Sequence, residues 1–203
     1  RDLHSFPTRR SSDLEKGIRF DITYFNHKYE DMIEGQKRTG WLPQNVSGTV
    51  RSQGIELFSQ YKFSNILNFD LNYTYNSTYD GADFDDPDMG PDSNGLFTNS
   101  QLVRIPRHFV NLSTKASPVK DLNITLKTKW SDEMRDYENT NSVVGGDQRL
   151  KSFLVNDLTA DYKLANGYKA FFKIDNIFDE VYNTALEYNQ MDRSFNFGIK
   201  RSY

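Results

Sequence analysis

Hydrophobic and polar residues alternate with a period of two along most of the chain. Ile18, Phe20, Ile22 and Tyr24 are interleaved with Arg19, Asp21, Thr23 and Phe25. Ile55, Leu57, Tyr61 and Phe63 alternate with Glu56, Phe58, Gln60 and Lys62, with Ser59 a weak point in the apolar series. The clearest run sets Leu67, Phe69, Leu71, Tyr73 and Tyr75 against Asn68, Asp70, Asn72, Thr74 and Asn76. Val110, Leu112, Thr114 and Ala116 follow, then Leu122, Ile124, Leu126, Thr128 and Trp130 against Asn123, Thr125, Lys127 and Lys129. Leu158, Ala160 and Tyr162 form a sixth run, Ala170, Phe172 and Ile174 a seventh. Phe195, Phe197, Ile199 and Tyr203, alternating with Ser194, Asn196, Gly198 and Lys200, form the eighth. Successive side chains of a strand point to opposite faces, so each run predicts a strand with one apolar and one polar face. No stretch sustains a helical period.

The connections alternate in length. Ser64-Asn65, residues 117–121 and Asn166-Gly167 are tight joins, the last suited to a two-residue turn because both residues tolerate positive φ. Residues 30–53, 79–104, 137–151 and 176–192 are long, polar connections. Short turns on one side and long loops on the other are the pattern of an antiparallel barrel in the bacterial outer membrane. If the last strand runs inward, every long loop lies outside and every tight turn inside. A soluble β-sandwich also alternates, but its strands are typically about five or six residues. These runs reach about ten, the length that crosses a bilayer. Tyr61, Tyr75, Tyr79, Trp130, Tyr137, Tyr162 and Tyr168 sit near strand ends, where aromatic girdles form. The fold class is all-β, an antiparallel transmembrane β-barrel.

Composition narrows the function classes. Aromatic residues make up 14% of the chain, and Ala, Leu and Val are too sparse for a large helical core. The 25 basic and 28 acidic residues are scattered, so there is no basic patch for nucleic acid. The longest stretch free of Lys, Arg, Asp and Glu, residues 39–50, is mostly polar, which excludes a membrane-spanning helix. With no cysteine, disulfide scaffolds and thiolate metal sites are excluded too. Residues 1–14, RDLHSFPTRRSSDL, resemble translated sequencing-adapter DNA, so they are expected to be a non-native leader. Residues 15–203 would then be a C-terminal portion of something longer.

The tail carries a family resemblance. Asn176-Ile177-Phe178-Asp179, then Tyr182, then Arg193-Ser194-Phe195-Asn196-Phe197-Gly198-Ile199 with the terminal Tyr203, resembles the C-terminus of TonB-dependent outer-membrane receptors. Gly48-Thr49-Val50-Arg51-Ser52-Gln53-Gly54-Ile55-Glu56 and Ile105-Pro106-Arg107-His108 are similar to segments that recur in those barrels. Ile177 stands where Leu is usual, and Tyr203 where Phe is commoner. The resemblance implies about eight C-terminal strands of a barrel of roughly 22 strands with a plugged lumen. It implies an outer-membrane receptor for TonB-energised uptake of a scarce nutrient, a ferric siderophore or cobalamin before others, bound as a small molecule by the outer loops. The TonB complex would be met only through an N-terminal plug and motif absent here. Phe195, Phe197, Ile199 and Tyr203 would form the signal read by the barrel-assembly machinery, and outer-membrane lipid would surround the apolar face. The alternative is a complete small eight-stranded outer-membrane barrel with a structural or adhesive role.

Other chemistry is sparse. Asp83, Asp85, Asp86 and Asp88 offer hard oxygen ligands suited to a structural Ca²⁺ in an outer loop, but without the residue order of an EF-hand. A solvated acidic loop is the plainer reading of that run. No cofactor is otherwise expected. His4 lies in the leader, and neither His27 nor His108 has a neighbouring Ser and acidic residue to form a nucleophile relay, so the chain is read as a non-enzyme.

Overall fold

The structure, a computed structural model, describes residues 17–34, 44–82, 102–136 and 148–201. In chain order the strands are β1 (Ile18–Glu34), β2 (Gln44–Lys62), β3 (Leu67–Ala82), β4 (His108–Ala116), β5 (Leu122–Ser131), β6 (Met134–Asp136), β7 (Gln148–Leu150), β8 (Phe153–Lys163), β9 (Tyr168–Asp175), β10 (Asn183–Ala185), β11 (Tyr188–Asn189) and β12 (Ser194–Arg201). Eight of them form a single sheet in the order β1-β2-β3-β4-β5-β8-β9-β12, and every adjacent pair is antiparallel. β1 and β12 stand at its two edges. β6–β7 and β10–β11 are small separate hairpins, and the period-two reading missed both.

The faces follow from the alternation. Ile18, Phe20, Ile22 and Tyr24 are all exposed on one face, as are Phe195, Phe197 and Ile199 at the other edge. Phe197 is 82% exposed, and an apolar face this extensive is a surface built to meet something other than water. The opposite face is polar and paired to itself. Lys115 Nζ lies 2.6 Å from Asp70, which also accepts from Gln60 at 3.3 Å. Lys169 pairs with Asp161 at 2.9 Å and Lys173 with Asp175 at 2.6 Å.

The tight joins are where the sequence puts them. Phe63 N and Ser64 N donate to Leu67 O, while the Ser64 hydroxyl accepts from Ile66 N and Leu67 N. Asn166 (φ 59) and Gly167 (φ 77) supply the two left-handed residues of the β8–β9 turn. The first long connection is shorter than expected, because β1 and β2 run on into it. β1, β2 and β3 have 17, 19 and 16 residues, against an expectation of about ten. Above Tyr24 the polarity of the faces exchanges. Asn26, Lys28 and Glu30 continue the apolar face, while Phe25, His27 and Tyr29 continue the polar one. The ladder between β1 and β2 nevertheless continues to Glu34 and Gln44. Backbone pairing therefore persists beyond the apolar belt, where the alternation no longer reports it.

Two glycines on the polar face are matched by cross-strand aromatics. Gly54 pairs with Phe25 and Gly198 with Phe171, and each ring lies against the bare glycine. An aromatic covering a glycine across strands recovers packing that the glycine forfeits. The steric limits differ. A Cβ on Gly198 would meet only the Phe171 ring, at 2.8 Å, whereas one on Gly54 would fall 1.9 Å from the Tyr75 carbonyl oxygen. Gly198→Ala should therefore cost about 1–3 kcal/mol of overpacking as the ring turns aside. Gly54→Ala must shift backbone, so it should lower the folded, heat-modifiable fraction more than Gly198→Ala on a semi-native gel.

Candidate functional site

At the loop end of the sheet the connections gather on the polar face. Met134 of β6, Leu150 of β7, and Phe153 and Val155 of β8 form a buried apolar cluster, with Tyr182 and Leu186 packed against it. Phe153 and Tyr182 rings are 4.5 Å apart at an angle of 37°. Lys129 Nζ sits 5.5 Å from the Phe153 ring and 5.9 Å from that of Tyr182, within cation–π range. Burial, and then the negative charge of Asp157, push the Tyr182 phenol above its ordinary range. The hydroxyl stays protonated as a donor at neutral pH.

Asp136 ties the loops together. Its side chain is fully buried and accepts from Arg104 Nε at 2.7 Å and from the Leu186 backbone amide. Arg104 N in turn donates to Arg135 O at 2.7 Å. One carboxylate thus joins the segment before β4, the β6–β7 hairpin and the β10–β11 hairpin.

The connection from β9 to β12 is built on a second set of side-chain bonds. Asn176 is buried in the left-handed conformation (φ 52). Its amide donates to Glu180 O at 2.9 Å and to Met191 O at 3.4 Å, and its oxygen accepts from Glu180 N at 2.9 Å. Asp179 accepts from the Arg193 backbone amide at 2.7 Å, and Arg193 Nη1 donates to Ile177 O at 3.2 Å. Asn176, Asp179 and Arg193 are therefore bonded to one another's loop, and this fixes where β12 begins.

On β1, Phe25, His27 and Tyr29 form a ladder of rings. Phe25 stacks on His27 with centroids 5.6 Å apart, and His27 meets Tyr29 at 6.2 Å. These residues lie on the face that becomes the inner wall when the sheet curves into a barrel. His108 belongs to the apolar face instead. Its Nδ1 is 2.8 Å from the Tyr73 hydroxyl, and its ring packs against Tyr73 and Tyr75. Neither histidine is arranged with a Ser and a carboxylate as a relay.

The match of the chain to known proteins is consistent with this geometry. Residues 10–177 match the family model described as TonB dependent receptor-like, beta-barrel. The chain belongs to that family. TonB-dependent receptor barrels are proteins of the bacterial outer membrane. Among curated proteins, none matches the sequence. Among solved structures, the ferric-catecholate import receptor Fiu from K12 E. coli is similar, with TM-score 0.68 and 16% identity over 92% of this chain and 25% of that one. The ferripyoverdine receptor of the outer membrane of Pseudomonas aeruginosa gives TM-score 0.64 and 16% identity over 90% of this chain and 24% of that one. The ferric yersiniabactin uptake receptor FyuA from Yersinia pestis gives 0.62 and 16% over 92% and 27%. At such identities the likeness is one of fold, and the chain spans about a quarter of the length of each.

Of the residues singled out in the sequence, Phe195, Phe197 and Ile199 share the lipid face of β12. Tyr203, the acidic run Asp83, Asp85, Asp86 and Asp88, and the leader 1–14 lie outside the described residues. Among the described residues, no group of three or more His, Asp or Glu is placed to hold a metal ion. Asp136 and Arg104 had no sequence signal, since their partners lie far away along the chain, whereas Tyr182 stands out only as part of the tail motif and not as a member of a cluster. Phe197→Arg should cost about 2–4 kcal/mol where it meets the bilayer interior and should abolish membrane insertion, whereas Asn196→Arg on the lumen face should be tolerated. Levels in purified outer membranes read both. Asp136→Ala should leave insertion intact but strand the Leu186 amide, a loss of about 1–3 kcal/mol. Hydrogen exchange should then quicken across residues 183–190 and 134–136 with little change in β4 or β5.

Proposed function

We propose that the chain forms the C-terminal wall of an outer-membrane receptor that takes up a ferric siderophore by TonB-energised transport, with residues 15–203 contributing about eight of roughly 22 strands. The observation that carries this reading is the exchange of face polarity above Tyr24. Below that level the inner wall is charged and the outer wall apolar. Above it the inner wall turns aromatic, through Phe25, His27 and Tyr29 on β1, and the loop cluster built on Phe153 and Tyr182 stands on the same face at β8. Flat rings facing a lumen suit a chelate with planar, polarisable ligand groups. The solved receptors of the same fold, named for catecholate, pyoverdine and yersiniabactin chelates of iron, favour a siderophore over cobalamin. On this reading the chain binds and conducts without covalent chemistry. The TonB complex acts on a plug contributed by sequence outside it, and the loop end faces the exterior.

A complete eight-stranded barrel would require β1 to bond to β12. They stand instead at opposite edges of the sheet, which favours a larger barrel. The apolar face of β12, with Phe195, Phe197 and Ile199, together with Tyr203 of the sequence beyond it, is the proposed recognition signal for the barrel-assembly machinery.

Two measurements on the complete receptor test the reading. This chain has no cysteine, so each replacement is its single thiol, read against the unreplaced receptor as background. Ser152→Cys at the loop end should react with an impermeant maleimide on intact cells, and Lys120→Cys at the turn end only after permeabilisation. Replacing Phe25, His27 and Tyr29 together by Ala should weaken ferric-siderophore binding roughly tenfold or more, taking about 0.5–1.5 kcal/mol per ring. Unchanged affinity for a panel of catecholate and mixed chelates, in a receptor that still inserts, would remove the inner wall from the binding site.

A further inference from the structure

The outer surface above the apolar belt carries a row of hydrogen-bond donors. Tyr24, Ile55, Tyr75 and His108 lie side by side across β1, β2, β3 and β4 and mark the upper edge of the belt. Two residues further along, Asn26, Gln53 and Ser77 occupy the same face. Two further still, Lys28 is directly opposite Arg51, and Arg51 is opposite Tyr79. Strand partners share a face, so all three side chains point outward, away from the lumen. Like charges placed directly opposite one another destabilise a strand pair. Glu30, on the same face, forms an ion pair with Lys28 and answers one of the two charges, leaving the row net positive.

We propose that Lys28, Arg51 and Tyr79 bind the phosphate of an anionic lipid headgroup in the outer leaflet. Four residues of strand rise about 13 Å, or about 10 Å along the normal for a tilted barrel strand. That lifts the backbone of the cations just past the headgroup layer, which is about 5–8 Å deep on each side of the hydrocarbon, and their long flexible side chains reach back into it. The chemistry of the row matches its level. Apolar rings meet acyl chains, amides and a hydroxyl meet sugar and ester oxygens, and two cations meet phosphate. At the turn end of the same face the arrangement differs: Arg201 lies 5.1 Å over the Tyr168 ring, resting on its girdle residue. The site rests on the orientation given above, with the loop end outside, and is independent of the nutrient.

The test uses the complete receptor in phosphatidylcholine nanodiscs doped with lipid A, its phosphates either intact or removed by phosphatase. Native mass spectrometry counts retained lipid A per receptor. Intact lipid A should be retained and the dephosphorylated form should not. Lys28→Gln and Arg51→Gln should each lower retention about fivefold. The charge-preserving pair Lys28→Arg with Arg51→Lys should keep it, and Lys120→Gln at the turn end should change nothing. Heat-modifiable mobility confirms that each variant is folded. Equal retention of both lipid forms, or no loss in the two Gln variants, overturns the proposal. So does displacement of lipid A by millimolar inorganic phosphate, which would show a free-anion site. If the Ser152→Cys label instead places the loop end in the periplasm, it is the orientation that fails. A loop end outside with unaffected lipid retention defeats the headgroup site alone.

Discussion

A backbone amide or carbonyl in hydrocarbon has no water to bond, so each must find its partner within the protein. A strand can satisfy that demand only through its neighbours. The uninterrupted antiparallel ladder from β1 through β5 and β8 to β9 and β12 is therefore the feature on which the others depend. Once pairing is obligatory, strand direction alternates and turns and loops segregate to opposite ends. Side chains are left to serve two solvents. On the proposed reading lipid takes Phe20, Ile22, Phe195 and Phe197, while the wet lumen takes Asp70 with Lys115 and Asp161 with Lys169. The constraint also gives the two edge strands their meaning. Unpaired edges cannot rest in a bilayer, so the sheet calls for further strands to close it.

The same constraint explains which parts of the fold can be read from sequence. Where lipid lies on one side and water on the other, every second residue must be apolar. The runs at Leu67 to Tyr75 and Leu122 to Trp130 therefore declare their strands and facing outright. Above Tyr24 both faces of the β1–β2 hairpin are wet. Pairing continues there, but apolarity no longer tracks facing, and the ladder to Glu34 leaves no periodic trace. The start of β8 is hidden for a different reason. Phe153, Leu154 and Val155 are consecutive apolar residues, because Leu154 meets lipid while its neighbours enter the loop-end cluster on the lumen side. A period-two search sees a broken pattern where two apolar environments adjoin.

The candidate site was legible only where its chemistry is local. Asn176, Asp179 and Arg193 stand out as a motif because their bonds span one loop and require those side chains at those spacings. Asn176 both tolerates the left-handed backbone and bonds peptide groups from Glu180 and Met191, a combination few residues offer. Asp136 does equivalent work among three separate segments. Its partners Arg104 and Leu186 are 32 and 50 residues away, too distant for spacing to reveal them. The glycine–aromatic pairs are intermediate. Gly54 and Gly198 look like weak points in their strands until the register brings Phe25 and Phe171 across from them.

These local locks matter for function because a receptor wall must hold its loops while its lumen opens. The loops here are fastened to the wall itself. Asp136 bonds three loop segments to one another, and Phe153 and Val155 anchor their cluster to β8. Asn176 and Arg193 fasten the last loop to the strand that follows it. None of these bonds crosses the open edges of the sheet. Displacing material from the lumen would break none of them, so the ring ladder on β1 and the loop cluster on β8 can keep their shape while the path between them clears. On the proposed reading, the binding surface is carried by the part of the molecule that does not have to move.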